Sequence, residues 1–395
     1  MKTAPRARGA IIAEKRSGFP QFGVPALAGA ALGAPALSKW SATGIRSARR
    51  LKTELQTVRS AEHCSARIER IRPGRAMLGA PVVLFTLALL LVSVSSLRAG
   101  EPVNPVEFRR ARITDAWEKY ASILTFGRGQ TLALVDDGCK LAMPAWTAIV
   151  DGVPKVRVAW DAVDGDPDPK HEGRGYHGST IGIPSSLNLN GKWGVAYNNQ
   201  VAVIRGLECC HCKIADSAPL ARALQWIIDH HAEYRITTVN LAPVDDLAHS
   251  APVPTEIDAP LAKLRELGIW VSAPAGNHHF TNGISWPASQ PNCFAIGAVK
   301  PGVDLVILDR DAKIVLVVPA SATSSSNAIA CGAAMILREA IERSGYQWKI
   351  DGKNLPEAML AIFQKTGKPV PDPATQLTFR RLDLLAALDH VMKKP

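Results

Sequence analysis

The sequence predicts a three-layer α/β fold, a doubly wound and mostly parallel β-sheet with helices on both faces. Two observations predict it. Short apolar runs of strand length recur between residues 131 and 299, and segments with one apolar helical face lie between them. Strands that alternate with helices favour a parallel sheet, and strands that lack a polar face are expected to be covered on both sides.

The predicted strands are taken in chain order. Thr131–Val135 is bounded by Asp136-Asp137-Gly138, and similar apolar runs occupy 155–160, 200–205, 236–241, 269–273 and 293–299. Each run has the length expected of a buried parallel strand. Two further runs, 305–308 and 313–318, flank the polar stretch 309–312 and predict a hairpin.

The predicted helices are amphipathic or rich in small residues. Residues 107–124 form a short N-terminal helix, while 219–232 and 259–267 each present one apolar face. A small-residue helix runs from Ser324 to about residue 343, and two more cover 355–365 and 382–392. The main domain is therefore expected at 128–395, after a short segment at 100–127.

The formal net charge of +11 lies in the first 99 residues, which hold 16 Lys and Arg against 4 Asp and Glu. The rest of the chain holds 30 basic and 31 acidic residues. This distribution gives the main domain no overall attraction for polyanions, so a nucleic-acid partner is not expected.

Residues 77–99 have the layout of a secretory signal, with arginines before a short apolar run and small residues at Ala99-Gly100. The alternative is an uncleaved membrane anchor at 77–97, because the run approaches the length that crosses a bilayer. Residues 1–76 are interpreted as an over-long reading of the gene, with an extended leader or a transit peptide as alternatives. The protein is expected to be secreted or periplasmic.

Four short segments carry candidate chemistry. Asp136 ends a central strand, where open α/β sheets bind ligands, and His177 stands beside Gly178 at a predicted helix start. Asn277 follows a strand, where its amide can donate to an oxyanion. Ser324 begins a helix, whose free N–H groups and dipole favour negative charge. Each segment alone has a structural explanation as a turn or a cap.

Together, and in this order, the segments resemble the subtilisin-like serine peptidases (subtilases) over about residues 110–392, including the Asp, His, Ser chain order of subtilisin. Asp136-Asp137-Gly138 resembles the aspartate segment, and His177-Gly178-Ser179-Thr180-Ile181-Gly182 the histidine motif. Gly276-Asn277 matches the oxyanion-hole segment, and Thr323-Ser324 through Gly332 the serine motif. Of three consecutive serines, only Ser324 directly follows the threonine and precedes the closing glycine by eight positions.

The resemblance implies peptide-bond hydrolysis by a triad of Asp136, His177 and Ser324, with Asn277 as an oxyanion donor. It also implies that Ala242, Val244 and Gly276 bind the substrate, a peptide or protein, without a cofactor. The family's Ser-Leu-Gly cleft floor is replaced by Ala242-Pro243-Val244, and the approach to Ser324 is short. The alternative function is therefore a subtilase-fold binding or scaffold protein with a remodelled cleft.

Two segments could be interpreted as metal sites. Cys209-Cys210-His211-Cys212 has zinc-binding residue types, but adjacent cysteines converge poorly, so a disulfide or a plain loop is favoured. The aspartates of 161–168 offer oxygen ligands to calcium, although no glutamate follows at the spacing of a calcium loop, so a solvated acidic loop is favoured. No metal site is predicted.

Overall fold

A ten-stranded sheet organises the protein in the computed structural model, which describes residues 100–170, 177–208 and 216–393. These residues all belong to one compact unit, Val83–Pro395. The predicted leader at 1–76, the predicted signal at 77–99 and the cysteine cluster at 209–212 lie outside the described residues. No helix of the described segments is long and apolar enough to cross a membrane.

The strands and helices are named in chain order. The strands are β1 (Glu101–Pro102), β2 (Thr131–Asp136), β3 (Ile149–Val150), β4 (Val153–Pro154), β5 (Val156–Asp161), β6 (Asn188–Leu189), β7 (Lys192–Trp193), β8 (Gln200–Arg205), β9 (Ile236–Leu241), β10 (Trp270–Pro274), β11 (Phe294–Val299), β12 (Val306–Ile307), β13 (Ile314–Pro319), β14 (Lys368–Asp372) and β15 (Leu377–Arg381). The helices are α1 (Pro105–Arg110), α2 (Ile113–Tyr120), α3 (Pro144–Thr147), α4 (His177–Ile181), α5 (Ile183–Ser186), α6 (Ala218–Tyr234), α7 (Asp258–Glu266), α8 (Thr323–Ser344), α9 (Leu355–Thr366) and α10 (Leu384–Met392).

The large sheet has the order β14-β15-β13-β11-β10-β9-β2-β8-β5, with β12 paired to β11. All neighbours from β15 to β5 are parallel, whereas β14 and β12 are antiparallel to their partners. The chain runs from β2 to β5 and β8 on one side, then crosses to β9 on the other. The strand order therefore reverses between β2 and β9, the point where such sheets bind ligands.

Helices cover both faces of this sheet because successive strand residues point to opposite sides. Leu132 and Trp270 pack in a core with the buried face of α8, while their neighbours Ala133 and Val271 pack in a second core with α6 and α7. The predicted α/β class with a mostly parallel sheet is thus confirmed.

Two predictions about individual elements are wrong. The N-terminal helix is broken into α1 and α2, because Arg112 adopts a left-handed φ of 55° between them. The hairpin predicted from 305–308 and 313–318 does not form. β12 and β13 both pair with β11, since β13 joins the sheet as a parallel strand and the polar stretch between them contacts the loop after β10.

The pairing of β14 with β15 was not predicted from the sequence. β14 carries Pro369 and Pro371, which disrupt a strand pattern, yet both residues find antiparallel partners on β15. Prolines are tolerated there because β14 lies at the edge of the sheet, where no second neighbour requires their missing N–H donors.

Candidate functional site

The first half of the site is a buried aspartate paired with a histidine. Asp136 is the last residue of β2 and His177 the first of α4, and His177 Nδ1 lies 2.6 Å from Asp136 Oδ2. Asp136 is 1% exposed, while the His177 side chain is 23% exposed. The second carboxylate oxygen of Asp136 accepts from the Asp137 backbone N–H at 2.8 Å. The carboxylate is therefore held in one orientation, and it fixes the imidazole at Nδ1.

Helix α4 is held close to β2 by the two residues that adjoin this pair. Asp137 Oδ1 accepts a 2.9 Å hydrogen bond from the Gly178 backbone N–H. Gly178 packs so tightly against the carbonyl oxygen of Gly138 that a side chain there would overlap it. Asp137 directly follows the predicted aspartate, but its sequence position alone does not predict this role.

The second half of the site joins Asn277 to the residue before Ser324. Asn277 Oδ1 accepts from the Thr323 backbone N–H at 2.9 Å and from Thr323 Oγ1 at 3.0 Å. With Oδ1 engaged as an acceptor, the exposed Asn277 side chain keeps its Nδ2 group as a donor. The sequence predicts no role for Thr323 in the site. Its position only identifies Ser324 as the serine that directly follows a threonine.

Ser324 occupies the second position of α8, with 8% of its surface exposed. The first N–H groups of a helix have no partner within the helix, so this end can receive negative charge. Helix α8 packs against α4, and Ala328 shares a buried cluster with Ile181. The predicted residues Asp136, His177, Asn277 and Ser324 are thus carried by elements that meet at the carboxyl ends of β2 and β10.

The loop after β10 depends on Gly276 and a buried acid, Asp309. Gly276 has a φ of 112°, and a Cβ there would overlap Asp309 Oδ2 and lie 2.6 Å from Ser285 Oγ. Asp309 Oδ1 accepts from the Phe280 backbone N–H at 2.9 Å, and burial raises the pKa of its carboxyl. Asp309 therefore holds the loop that carries Asn277. This position differs from the hairpin turn that the sequence predicts for Asp309.

The three predicted substrate-binding residues are all buried. Ala242 and Val244 are 1% and 6% exposed, and Gly276 is buried as well. The Ala242 N–H donates to the carbonyl of Val135, and Pro243 has no N–H. The backbone of this segment therefore offers a peptide fewer donors than an open strand edge does.

The acidic loop uses its carboxylates within the protein. Arg205 is 3% exposed and its Nη1 lies 2.8 Å from both Asp161 Oδ2 and Asp164 Oδ2, while Asp168 pairs with Lys170. In the described parts of the chain, no group of three or more His, Cys, Asp or Glu residues could hold a metal ion.

The three cysteines within the described segments, Cys139, Cys293 and Cys331, are buried and unpaired, and burial raises the pKa of each thiol to about 12. Thiols with so high a pKa stay protonated at neutral pH and are poor nucleophiles. They therefore fill space in the core.

Comparison with known proteins gives a fold likeness. No protein-family model and no curated protein matches the sequence. Among solved structures, the fold is similar to that of proteases from Pseudoalteromonas arctica PAMC 21717, with a TM-score of 0.54 and 15% sequence identity. The match covers 71% of this chain and 98% of that chain. At this identity the likeness shows a shared fold, one that a protease also uses.

Proposed function

We propose that the protein is a serine endopeptidase of the subtilisin-like type, with Asp136, His177 and Ser324 as its triad. The observation that carries the proposal is the 2.6 Å contact between His177 Nδ1 and Asp136 Oδ2, on a helix that packs against the helix of Ser324. The likeness to a protease fold supports the same conclusion.

In the proposed reaction, Ser324 Oγ attacks the peptide carbonyl while His177 Nε2 takes its proton and later returns it to the leaving amine. Asp136 holds the imidazole in the tautomer that leaves Nε2 free to accept, and it stabilises the imidazolium. Asn277 Nδ2 and the Ser324 N–H stabilise the oxyanion, with Thr323 fixing the amide orientation. The chemistry requires no cofactor.

The substrate of this proposal is a peptide or protein that meets the enzyme after export, directed by the predicted signal at 77–99. An uncleaved anchor at 77–97 would keep the same domain at the membrane.

A binding or scaffold protein with the same fold is the second candidate. It is favoured by the buried side chains of Ala242 and Val244 and by the engaged Ala242 N–H, which reduce the surface that a peptide can contact. Both candidates keep the Asp136–His177 pair, so only a measurement of serine reactivity separates them.

An active-site serine probe tests the proposal. We expect a fluorophosphonate to label the full-length protein and Ser325→Ala, but not Ser324→Ala. Ser325 is the matched control because it is the next residue of the same helix turn. If folded protein is not labelled, or if Ser324→Ala is labelled as strongly as the wild type, the peptidase is excluded and the scaffold remains.

A further inference from the structure

A cavity lined by none of the candidate site residues lies where α1 meets the end of β15. Its volume is about 400 Å³, and it is here called the arginine pocket, defined by the lining residues Val106, Arg109, Arg110, Arg112, Gly302 and Arg381. Four of the six are arginines. Guanidinium groups gathered around one cavity repel one another unless anions neutralise them.

The carboxylate of Asp304 forms ion pairs with three of the neighbouring cations. Asp304 Oδ1 lies 2.8 Å from Arg110 Nη2 and 3.0 Å from Arg381 Nε, while Asp304 Oδ2 lies 2.8 Å from Lys368 Nζ. These cations lower the pKa of Asp304 despite its partial burial, so it remains ionised. A single negative charge here faces three positive ones.

Arg381 is the most deeply placed member, with 5% of its surface exposed. Its Nη1 donates to the Arg110 carbonyl, but its Nε is not in hydrogen-bonding geometry with Asp304 and has no other partner in the described residues. The buried Arg381 guanidinium therefore depends on the charge of Asp304, a carboxylate that also pairs with Arg110 and Lys368.

The remaining arginines leave a positive excess. Arg112 contacts Asp115 at 3.1 Å and Asp383 at 4.0 Å, while Arg109 is exposed and forms no ion pair within the described residues. Four of the six lining residues are cations and none is an acid. Asp304, Asp115 and Asp383 pair with Arg110, Arg112 and Arg381 from outside the lining, and Arg109 has no ion pair in the described residues. The lining itself therefore carries a positive excess.

We propose that the arginine pocket binds a doubly charged tetrahedral oxyanion, a phosphate or sulfate group. Guanidinium groups match such oxyanions with paired N–H donors, and an anion is attracted to a lining that holds four cations and no acid. Arg381 ends β15, and β13 and β11 lie between β15 and β10, so the pocket occupies a different part of the sheet from the Asn277 loop. The proposal does not depend on peptidase activity.

Calorimetry with the full-length protein tests the pocket. Sodium phosphate, sodium sulfate and sodium chloride are titrated at equal ionic strength, and we expect heat of binding from phosphate or sulfate but not from chloride. Arg109→Glu should weaken the binding by roughly tenfold or more, because it removes a charged donor and adds a repelling charge. Arg109 is exposed on α1, so the variant is expected to fold.

Arg380→Glu is the matched control, since Arg380 is the exposed neighbour of Arg381 on β15 and the change in net charge is the same. The affinity of Arg380→Glu for phosphate or sulfate should stay within about twofold of that of the wild type. Equal loss in both variants, or no binding of either oxyanion, would overturn the proposal.

The source of the group is resolved by adding dextran sulfate as a probe. If dextran sulfate binds more tightly per sulfate group than free sulfate does, and Arg109→Glu weakens that binding, the pocket takes a group carried on a polymer. If the two affinities are equal, the pocket takes the free ion. Either result retains the site. Binding of dextran sulfate that Arg109→Glu and Arg380→Glu weaken equally would be surface attraction alone and would count against it.

Discussion

At the scale of single residues, the site depends on three side chains that hold other residues in place. Asp137 fixes the start of α4, Thr323 orients the amide of Asn277, and Asp309 holds the loop after β10. None of the three is a proposed acid, base or nucleophile. Their roles lie in hydrogen bonds to residues distant in the chain, which residue type alone does not reveal, although these contacts determine where His177 and Asn277 lie.

Gly276→Ala tests this loop. The added Cβ would overlap Asp309 Oδ2, and the φ of 112° strains any side chain, so we expect a loss of about 2–3 kcal/mol in unfolding free energy. Labelling of Ser324 should fall with it, because Asn277 is the next residue. Urea denaturation and probe labelling measure the two effects.

The control for this variant is Gly345→Ala at the end of α8. Gly345 also has a positive φ, 68°, but nothing lies within 4 Å of its Cβ position. Gly345→Ala should lower the unfolding free energy by about 1 kcal/mol and leave fluorophosphonate labelling of Ser324 unchanged. Equal costs at the two positions would show that backbone strain, and not contact with Asp309, determines the effect.

At the scale of elements, α8 is placed by how closely it approaches the segment after β7. A Cβ at Gly332 would lie 2.6 Å from Val195 Cβ and 3.3 Å from the Ser185 carbonyl oxygen. Glycine in the middle of a helix normally weakens it, so its presence in α8 is explained by this close approach. The approach brings the N-terminal end of α8 against α4.

Gly332→Ala is therefore expected to destabilise the protein by about 1–3 kcal/mol, although the same change in an open helix would stabilise it. Thermal or urea unfolding measures the change. A double-mutant cycle with Val195→Gly should recover part of the loss, since it removes the atom at 2.6 Å. Stabilisation by Gly332→Ala alone would contradict the close approach.

The sequence predicts an element well where a single periodicity dominates its residues. It predicts an element poorly where contacts with distant residues determine its partner. The runs at 200–205 and 236–241 coincide with β8 and β9. Residues 201–204 form an uninterrupted apolar signal, and 236–241 combine Ile236, Val239 and Leu241 with β-branched threonines, which favour strands. The partner of β13 could not be read in the same way. Adjacent strands in sequence favour a hairpin, yet β13 instead lies parallel beside β11.

The residues that hold the candidate site in place are the part that the sequence does not predict. The resemblance to the subtilases implies that Asp136 pairs with His177, and in the structure the two side chains are in contact. Asp309 could not be found because its role depends on Gly276, a residue 33 positions earlier in the sequence. No local pattern records such a contact.

At the scale of the whole molecule, a buried lysine links stability to pH. Lys155 is 1% exposed, its Nζ donates to the carbonyls of Tyr197 and Asn199, and burial lowers its pKa to about 7. The unfolded chain should keep the ordinary value near 10.4. Between these values the unfolded state holds the extra proton at this lysine, so the contribution of Lys155 to stability rises with pH from about 7 to about 10. The buried thiols of Cys139, Cys293 and Cys331, whose pKa is raised, act in the opposite direction above about pH 8.5. The effect of the lysine is therefore the difference between variants.

We expect the gain to reach about 1–3 kcal/mol, because the carbonyl acceptors partly favour the charged lysine. Lys155→Met should lack this pH-dependent gain in unfolding free energy, whereas Lys353→Met, which removes an exposed lysine, should retain it. Urea midpoints measured from pH 6.5 to 10 make the comparison. A wild-type curve parallel to that of Lys155→Met would show that the lysine titrates alike in both states.

The edge of the sheet at β14 has a consequence for how copies of the protein meet. A free strand edge can pair with the edge of another chain and begin an aggregate. β14 offers Lys368, Pro369 and Pro371 at that position, which place a charge and two residues without N–H donors along the exposed ladder. β14 therefore disfavours pairing with a second copy at this edge of the sheet, while β5 forms the opposite edge.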